Sequence, residues 1–153
     1  MASSTFTAKG YHAVGSSPLR HCGNIDRVTL APFRISPDVA AALGRRAPVV
    51  ALESTVITHG LPRPQNLELA NHLESVVREE GALPATIGIL DGAVCVGLTS
   101  ADLAKLAAGG ADKASSWNLA ALIAGKHHAG TTVATTLYAA HKVGIKVFAT
   151  GGI

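Results

Sequence analysis

The segment PVVALEST at residues 48–55 decides the fold class of this chain. Its first five residues form a short apolar run with adjacent valines, a pattern typical of a β-strand that is buried on both faces. Glu53 ends that run, so its side chain emerges at the carboxyl end of the strand, beside buried surface. Parallel α/β sheets bind their ligands at this edge. The segment therefore predicts a buried parallel strand and a candidate functional residue.

Strand and helix patterns alternate on both sides of this segment. Ser36 and Pro37 are typical of the N-cap and first position of a helix that Gly44 would close as the C′ residue. Asp91-Gly92 is a hairpin-turn signal, and TSAD at 99–102 resembles a capping box. In chain order, the predicted elements are helices over 36–44 and 69–77, strands over 85–90 and 94–98, helices over 99–108, 119–124 and 131–143, and a strand over 145–149.

This alternation predicts a three-layer α/β/α fold with a mostly parallel sheet. Aliphatic residues would fill its interior, because hydrophobic residues make up 48% of the chain and aromatic residues only 4%. The last predicted strand runs into TGGI at residues 150–153, where the sequence ends within a loop of the ligand-binding edge. We therefore expect the fold to be truncated at the C-terminus.

The first 33 residues differ in composition from the rest. They are rich in Ser, Thr, Gly and His, and their first acidic residue is Asp26. Mitochondrial and plastid transit peptides share this bias, whereas sparse arginine and the lack of an evident amphipathic helix fit a flexible tail equally well. We assign residues 1–33 to a flexible leader or targeting segment and residues 34–153 to one domain. A cytoplasmic and a mitochondrial location both stay open.

Composition and charge argue against several classes of partner. The net charge is only +3, and lysine and arginine are scattered, so nucleic-acid binding has little support. No apolar stretch approaches the roughly 20 residues that a membrane helix needs. Cys22 and Cys95 lie far apart, which argues against a zinc site or a disulfide framework. A small phosphate-bearing ligand would need only one or two cations, which the sequence can supply.

Glu53 and His59 are the first candidates for chemistry. Desolvation at a strand end would favour the protonated form of Glu53, the form that a general acid needs. A solvated loop glutamate and a helix cap are its alternative roles. His59 lies in THG at 58–60, before a proline-containing loop, where it would contact a ligand phosphate or fix the loop through a backbone hydrogen bond.

Lys113 and the GTTVATT segment at 130–136 are candidates for anion binding. A lysine beside small hydroxyl residues suits a phosphate as a point charge, although most lone lysines are simply solvated. Free amides at a helix N-terminus bind anions, and Thr132 and Val133 would lie at such a start; ordinary capping is the alternative. The sequence has no carboxylate cluster that would mark a metal site, so no metal ligand is assigned within this chain.

Several blocks together resemble the pseudouridine-5'-phosphate glycosidase family, also called the indigoidine synthase A-like family. The resemblance covers the chain from about residue 35 to its end, and its longest block is unusual in sequence. The blocks are PVVALESTVITHG at 48–60, PxPQN at 62–66, GAxPATI at 81–87, VGLT at 96–99, GTTVA at 130–134 and VFATGGI at 147–153.

The resemblance implies an activity and roles for individual residues. The family reversibly hydrolyses the carbon–carbon glycosidic bond of pseudouridine 5'-phosphate to uracil and ribose 5-phosphate, using a Schiff-base lysine, a glutamate proton donor and a manganese ion. By resemblance, Glu53 is the proton donor, Lys113 contacts the substrate and Val133 lines the substrate pocket, with His59 and Thr132 as further substrate-binding candidates. The resemblance also implies a homotrimer for the full-length enzyme.

Two departures from the family pattern qualify these roles. Ser116, Trp117 and Asn118 stand where the family commonly has two arginines and an aspartate. The family's metal-binding aspartate and Schiff-base lysine lie downstream of Ile153 and have no counterpart in this sequence. We therefore expect an amino-terminal fragment that is inactive alone. The alternatives are a non-catalytic short product that binds its full-length relative, or a sugar-phosphate-binding α/β domain with other chemistry.

Overall fold

A computed structural model describes residues 33–152 as a seven-stranded sheet with helices on both faces. The predicted leader, except for its last residue Phe33, lies outside the described residues, as do Cys22 and Ile153. The strands are β1 (Phe33–Ile35), β2 (Val49–Leu52), β3 (Leu83–Leu90), β4 (Ala93–Val96), β5 (Asp112–Ala114), β6 (Ala129–Thr131) and β7 (Val147–Ala149). The helices are α1 (Pro37–Gly44), α2 (Gln65–Glu79), α3 (Ser100–Ala107), α4 (Leu119–Ala124) and α5 (Val133–Val143), and a π-helical turn spans Val56–Gly60.

The sheet is mostly parallel, as the sequence predicts. Its main path runs β1-β4-β3-β2-β7, and β6 joins β3 and carries β5 on its other side. The pairs β1–β4, β2–β3, β2–β7 and β5–β6 are parallel, whereas β3 pairs antiparallel with β4 and β6. Strand β3 is the centre of the sheet, and seven of its eight residues are buried.

Two hydrophobic clusters lie on opposite faces of the sheet. Alternate residues of a strand point to opposite faces, and those of β4 divide accordingly: Val94 and Val96 belong to one cluster, Ala93 and Cys95 to the other. Helices α1, α4 and α5 pack on the first face. The π-helical turn, α2 and α3 pack on the second. This arrangement agrees with the predicted three-layer fold.

Local signals explain most of the element boundaries. The Ser36 side chain accepts a hydrogen bond from the Val39 backbone N–H, and Thr99 and Asp102 form a complete capping box. The hairpin between β3 and β4 turns through Asp91 and Gly92, both with positive φ. The predicted end of α1 is wrong by one residue. Gly44 is the last helical residue rather than C′.

The sequence patterns did not predict β1, β5, β6 or the π-helical turn. Asn66 is of a residue type that favours an N-cap before the apolar pattern of α2, but the N-cap is Pro64 and Asn66 lies inside the helix. The buried Asn66 amide donates to Ile57 O at 2.9 Å and to Ala107 O at 3.1 Å. Asn66 therefore ties the π-helical turn to α3. No helix in the described part of the chain is long and apolar enough to cross a membrane.

Candidate functional site

The candidate site lies where β2 and β6 meet end to end along one side of β3. Strand β2 runs parallel to β3 as far as the Leu52–Thr86 pair, and β6 runs antiparallel to β3 beside Gly88 and Ile89. The two strands therefore approach each other with their carboxyl ends. The Ser54 backbone N–H donates to Thr131 O at 3.3 Å across this junction. The backbone must leave the sheet after each of these two strands, and the loops that follow β2 and β6 therefore lie close together.

Three buried hydroxyl groups, those of Ser54, Thr131 and Thr136, fill the junction; we call them the hydroxyl knot. Ser54 Oγ and Thr131 Oγ1 each donate to Ile87 O at 2.6 Å. The Thr131 backbone N–H donates to Ser54 Oγ at 2.9 Å, and Thr136 Oγ1 donates to Thr131 Oγ1 at 3.0 Å. All three residues have no exposed surface. Because buried polar groups must be paired, this network fixes the two strand ends against β3.

Gly130 lets the π-helical turn approach β6 closely. A Cβ atom at this position would lie 2.9 Å from Ser54 O and would also clash with the Thr58 side chain. Only glycine leaves space for this contact. The close approach brings the π-helical turn against β6, so the turn lies over the strand junction.

An open cavity of about 620 Å³ lies at the carboxyl ends of β2 and β7. Its polar lining includes Glu53, Thr55, His59, Lys113 and Thr150. Its apolar lining comes from both strand ends, the π-helical turn and one side of α2. These residues are Leu52, Val56, Leu69, Leu73 and Ala149. A pocket with apolar walls and a few convergent polar groups is the usual form of a small-molecule site.

Glu53 is half-buried at the rim of this cavity, in the position that the sequence predicts. Thr150, which follows β7, donates a hydrogen bond from Oγ1 to Glu53 Oε1 at 2.5 Å. Leu52 and Ala149 are register partners, so Glu53 and Thr150 are the next residues along the two parallel strands. Within the described residues, Glu53 Oε2 has no hydrogen-bond partner.

Lys113 lies in β5 and is exposed, and it lines the same cavity as Glu53. Its register partner in β6 is Gly130, so the end-to-end junction also positions β5. Asn118 stabilises the turn after β5, because its side chain accepts from Ser115 N–H at 2.8 Å and donates to Lys113 O at 3.0 Å. Asn118 is one of the residues that depart from the family pattern, and here it supports the backbone that carries Lys113.

His59 also lines the cavity and is exposed. Its Nδ1 lies 2.7 Å from Thr58 Oγ1. The ring is thus tied to its neighbour on the π-helical turn. Among the described residues, Nε2 has no hydrogen-bond partner, which leaves this nitrogen able to contact a ligand.

Thr132 and Val133 lie at the start of α5 and do not contribute to the lining of this cavity. Thr132 is the N-cap, and its backbone N–H donates to Ala114 O at 3.0 Å, next to Lys113. The hydroxyl groups of Thr132 and Thr55 are buried and have no hydrogen-bond partner within the described residues. The substrate contacts predicted for Thr132 and Val133 stay predictions.

Sequence reasoning did not single out Thr55, Thr150, Leu69 or Leu73 as site residues. The sequence pattern does point to Thr150, because this residue follows a predicted strand that ends at the same edge of the sheet as β2. Leu69 and Leu73 have the i, i+4 spacing of an apolar helix face, and that spacing alone does not indicate that they line a cavity. Glu53, Lys113 and His59, at most 60 residues apart, all line one cavity, and the roles predicted for them toward a substrate stay predictions.

Comparison with known proteins gives a consistent set of matches. A family model described as indigoidine synthase A-like protein matches residues 38–153. A pseudouridine-5'-phosphate glycosidase from Thermus thermophilus is 63% identical over 108 residues, which cover 71% of this chain and 38% of the relative. One from Arabidopsis thaliana is 50% identical over 122 residues, covering 78% of this chain and 37% of the relative.

Two solved structures share the fold. The prealnumycin C-glycosynthase AlnA in complex with ribulose 5-phosphate matches with a TM-score of 0.70 and 42% identity, over 79% of this chain and 39% of its own. An indigoidine synthase A-like protein from Thermotoga maritima matches with a TM-score of 0.70 and 33% identity, over 80% of this chain and 40% of its own. The chain thus spans about two fifths of the length of the relatives that it matches.

Proposed function

The chain belongs to the indigoidine synthase A-like protein family, and on this premise we propose that its cavity is part of the active site of a pseudouridine-5'-phosphate glycosidase. The observation that carries the proposal is the position of Glu53, at the carboxyl end of β2 on a cavity that it shares with Lys113. Relatives that are 50–63% identical bear this activity in their names. AlnA, named as a C-glycosynthase, is bound to a sugar phosphate.

Hydrolysis of pseudouridine 5'-phosphate breaks the bond between a sugar carbon and a carbon of the base. Water supplies the oxygen that the sugar carbon gains, and the base carbon must take up a proton to leave as uracil. We assign the delivery of that proton to Glu53 as a general acid. Glu53 lines the cavity together with the apolar residues Leu52 and Val56.

Lys113 and His59 supply positive charge and a hydrogen-bonding ring nitrogen to the same cavity. A lysine ammonium group binds a phosphate or a sugar hydroxyl as a point charge. The apolar wall formed by Leu69 and Leu73 offers a surface for the flat face of a pyrimidine. A sugar phosphate joined to a base therefore fits the chemistry of both halves of the cavity.

The manganese ion and the homotrimer are further parts of this proposal. Among residues 33–152, no group of three or more His, Cys, Asp or Glu side chains could hold a metal ion. The family resemblance assigns the metal-binding aspartate to the part of the sequence that follows the matched segment. Native mass measurement of the chain joined to the part of the Thermus thermophilus relative that follows the matched segment tests the homotrimer; a monomer at every concentration would contradict it.

The test of the proposed function is uracil release from pseudouridine 5'-phosphate. The chain is measured alone and joined to the part of the Thermus thermophilus relative that follows the matched segment. We expect turnover by the joined protein only, and the Glu53→Gln variant should lower it about 10²- to 10⁴-fold, the usual contribution of a general acid. Glu68→Gln, on an exposed position of α2 outside the cavity, is the control and should not change the rate.

Uridine 5'-phosphate, which carries the same base through nitrogen, is the control substrate. Release of uracil from it at a similar rate would argue against specificity for the C-glycoside. Turnover that survives Glu53→Gln, or no uracil release by the joined wild-type protein, would contradict the proposed function. Equal rates for the chain alone and the joined protein would contradict the prediction that the chain alone is inactive.

A further inference from the structure

The residue that holds Glu53 is Thr150, which lies 97 positions away in the sequence. The contact depends on the register of two parallel strands, in which Leu52 pairs with Ala149. Neighbouring strands lie about 4.8 Å apart, so a threonine hydroxyl at the next position can reach a glutamate on the adjacent strand. The sheet thus fixes the distance between these two side chains.

The Thr150 hydroxyl group has three polar neighbours. It lies 2.5 Å from Glu53 Oε1 and 3.1 Å from Gly152 O, and the Gly152 backbone N–H donates to it at 3.3 Å. A hydroxyl group has one proton to donate. Of its two possible acceptors, Glu53 Oε1 and Gly152 O, the carboxyl oxygen is nearer and forms the stronger hydrogen bond. The Gly152 N–H orients the hydroxyl by occupying one of its lone pairs.

Within the described residues, Thr150 makes the single hydrogen bond to the Glu53 carboxyl group. Lys113 and His59 line the same cavity from β5 and the π-helical turn, but neither forms an ion pair or hydrogen bond with Glu53 in the described part of the chain. The orientation of the carboxyl group thus depends on one hydroxyl.

We propose that Thr150 is a positioning residue for Glu53, which keeps the transferable proton on Oε2 and stabilises the carboxylate that remains after the proton has left. The proposal rests on the proposed function and goes beyond it, because it assigns a role to a residue outside the motif that carries Glu53. Oε1 accepts the Thr150 proton throughout, so Oε2 is the oxygen that exchanges a proton with the base carbon. No atom of Thr150 is transferred.

The energetic reason is that a hydrogen bond to a charged acceptor is stronger than one to a neutral acceptor. When Glu53 gives its proton to the base carbon, its charge becomes −1 and the contact with Thr150 strengthens. In the reverse direction, the same contact holds the carboxylate in place to take the proton back. Thr150 therefore favours the transition state for proton transfer more than it favours substrate binding.

The test compares Thr150→Val, which keeps the shape and removes the hydroxyl, with Thr150→Ser, which keeps the hydroxyl. In the joined protein used for uracil release, Thr150→Val should lower kcat about 10- to 100-fold, the effect of losing one hydrogen bond to a charged group. KM should stay within about 2-fold, because substrate contacts are unchanged. Thr150→Ser should restore kcat to within about 3-fold of wild type.

A spectroscopic measurement on the 153-residue chain itself makes the test independent of turnover. The infrared difference between wild type and Glu53→Gln isolates the Glu53 carboxyl bands. Loss of the hydroxyl in Thr150→Val should shift these bands, and Thr150→Ser should return them to the wild-type position. Circular dichroism confirms that each variant is folded.

The outcomes separate this inference from the proposed function. Wild-type kcat and unchanged infrared bands in Thr150→Val, with Glu53→Gln inactive, would overturn the role of Thr150 alone. A loss in Thr150→Val that Thr150→Ser does not rescue would show a purely structural role and would also overturn it. If Glu53→Gln itself retains turnover, the proposed function fails, whatever Thr150 does to the carboxyl bands.

Discussion

Two polar regions lie side by side in this protein, and they begin at adjacent residues. Ser54 belongs to the hydroxyl knot, where its Oγ both donates to Ile87 O and accepts from Thr131 N–H with no exposed surface. Glu53 faces the cavity, with one oxygen bound to Thr150 and the other without a partner among the described residues. Side chains whose hydrogen bonds are completed inside the protein hold the strands together. Side chains at an open surface whose hydrogen-bonding atoms are not all paired are able to bind a ligand.

The largest expected effect on stability comes from removing one hydroxyl of the knot. Thr131→Val should lower the free energy of unfolding by about 2–4 kcal/mol, since it deletes a donor to Ile87 O and the acceptor of Thr136 in a buried place. Denaturant unfolding of the 153-residue chain measures the change.

Thr132→Val is the matched control for this prediction. It makes the same substitution at the next residue, whose buried hydroxyl has no partner within the described residues. Removal of an unpaired buried hydroxyl should leave the free energy of unfolding unchanged or raise it slightly. If both variants lose the same free energy of unfolding, paired and unpaired hydroxyl groups contribute equally at this junction, which would contradict the prediction.

A smaller effect, on binding rather than on stability, is expected at the cavity. Lys113→Gln should weaken binding of pseudouridine 5'-phosphate about 10-fold, or about 1.4 kcal/mol, because it removes an exposed point charge from the ligand's surroundings. Calorimetric titration at two salt concentrations measures it, and the wild-type affinity should fall more with salt than that of the variant.

Lys146→Gln is the control, since Lys146 precedes β7 at the opposite edge of the sheet. This substitution changes the net charge by the same amount and should leave the affinity within about 2-fold of wild type. Similar losses in both variants would mean that net charge, rather than the position of Lys113, attracts the ligand.

The smallest effect is expected at Trp117, which belongs to neither region. Its side chain is 84% exposed in the turn after β5. Trp117→Ala should change the free energy of unfolding by less than about 0.5 kcal/mol, as surface substitutions usually do. Unfolding curves that differ by more than this would show that Trp117 supports the turn after β5, as Asn118 does.

The sequence predicted those parts of the molecule that depend on nearby residues. The cap at Ser36, the capping box at Thr99 and the Asp91-Gly92 turn are each complete within a few positions, and each is confirmed. Strand β2 and the placement of Glu53 at its end followed from one apolar run. His59 reaches the same cavity from the π-helical turn that follows β2, whereas Lys113 reaches it because β5 pairs with β6, which meets β2 end to end.

The strands and contacts that the sequence did not predict depend on residues far apart in the chain. Strands β1, β5 and β6 have three residues each, and β6 contains Gly130, so none has a strong strand pattern of its own. Pairing with other strands defines them: β1 with β4, β6 with β3, and β5 with β6. The contact between Ser54 and Thr131 spans 77 positions, and that between Glu53 and Thr150 spans 97. No local spacing rule in the sequence encodes either contact.

The meeting of β2 and β6 has a consequence for how the chain assembles during synthesis. Strand β2 can pair with β3 as soon as residue 90 has left the ribosome, whereas β6 arrives about 40 residues later. Until then, Ser54 Oγ can donate to the Ile87 carbonyl oxygen, but the second donor, Thr131 Oγ1, is still missing. The junction of β2 and β6 is thus completed on a sheet that is already partly built, and variants of the hydroxyl knot should slow the last stage of folding more than the first.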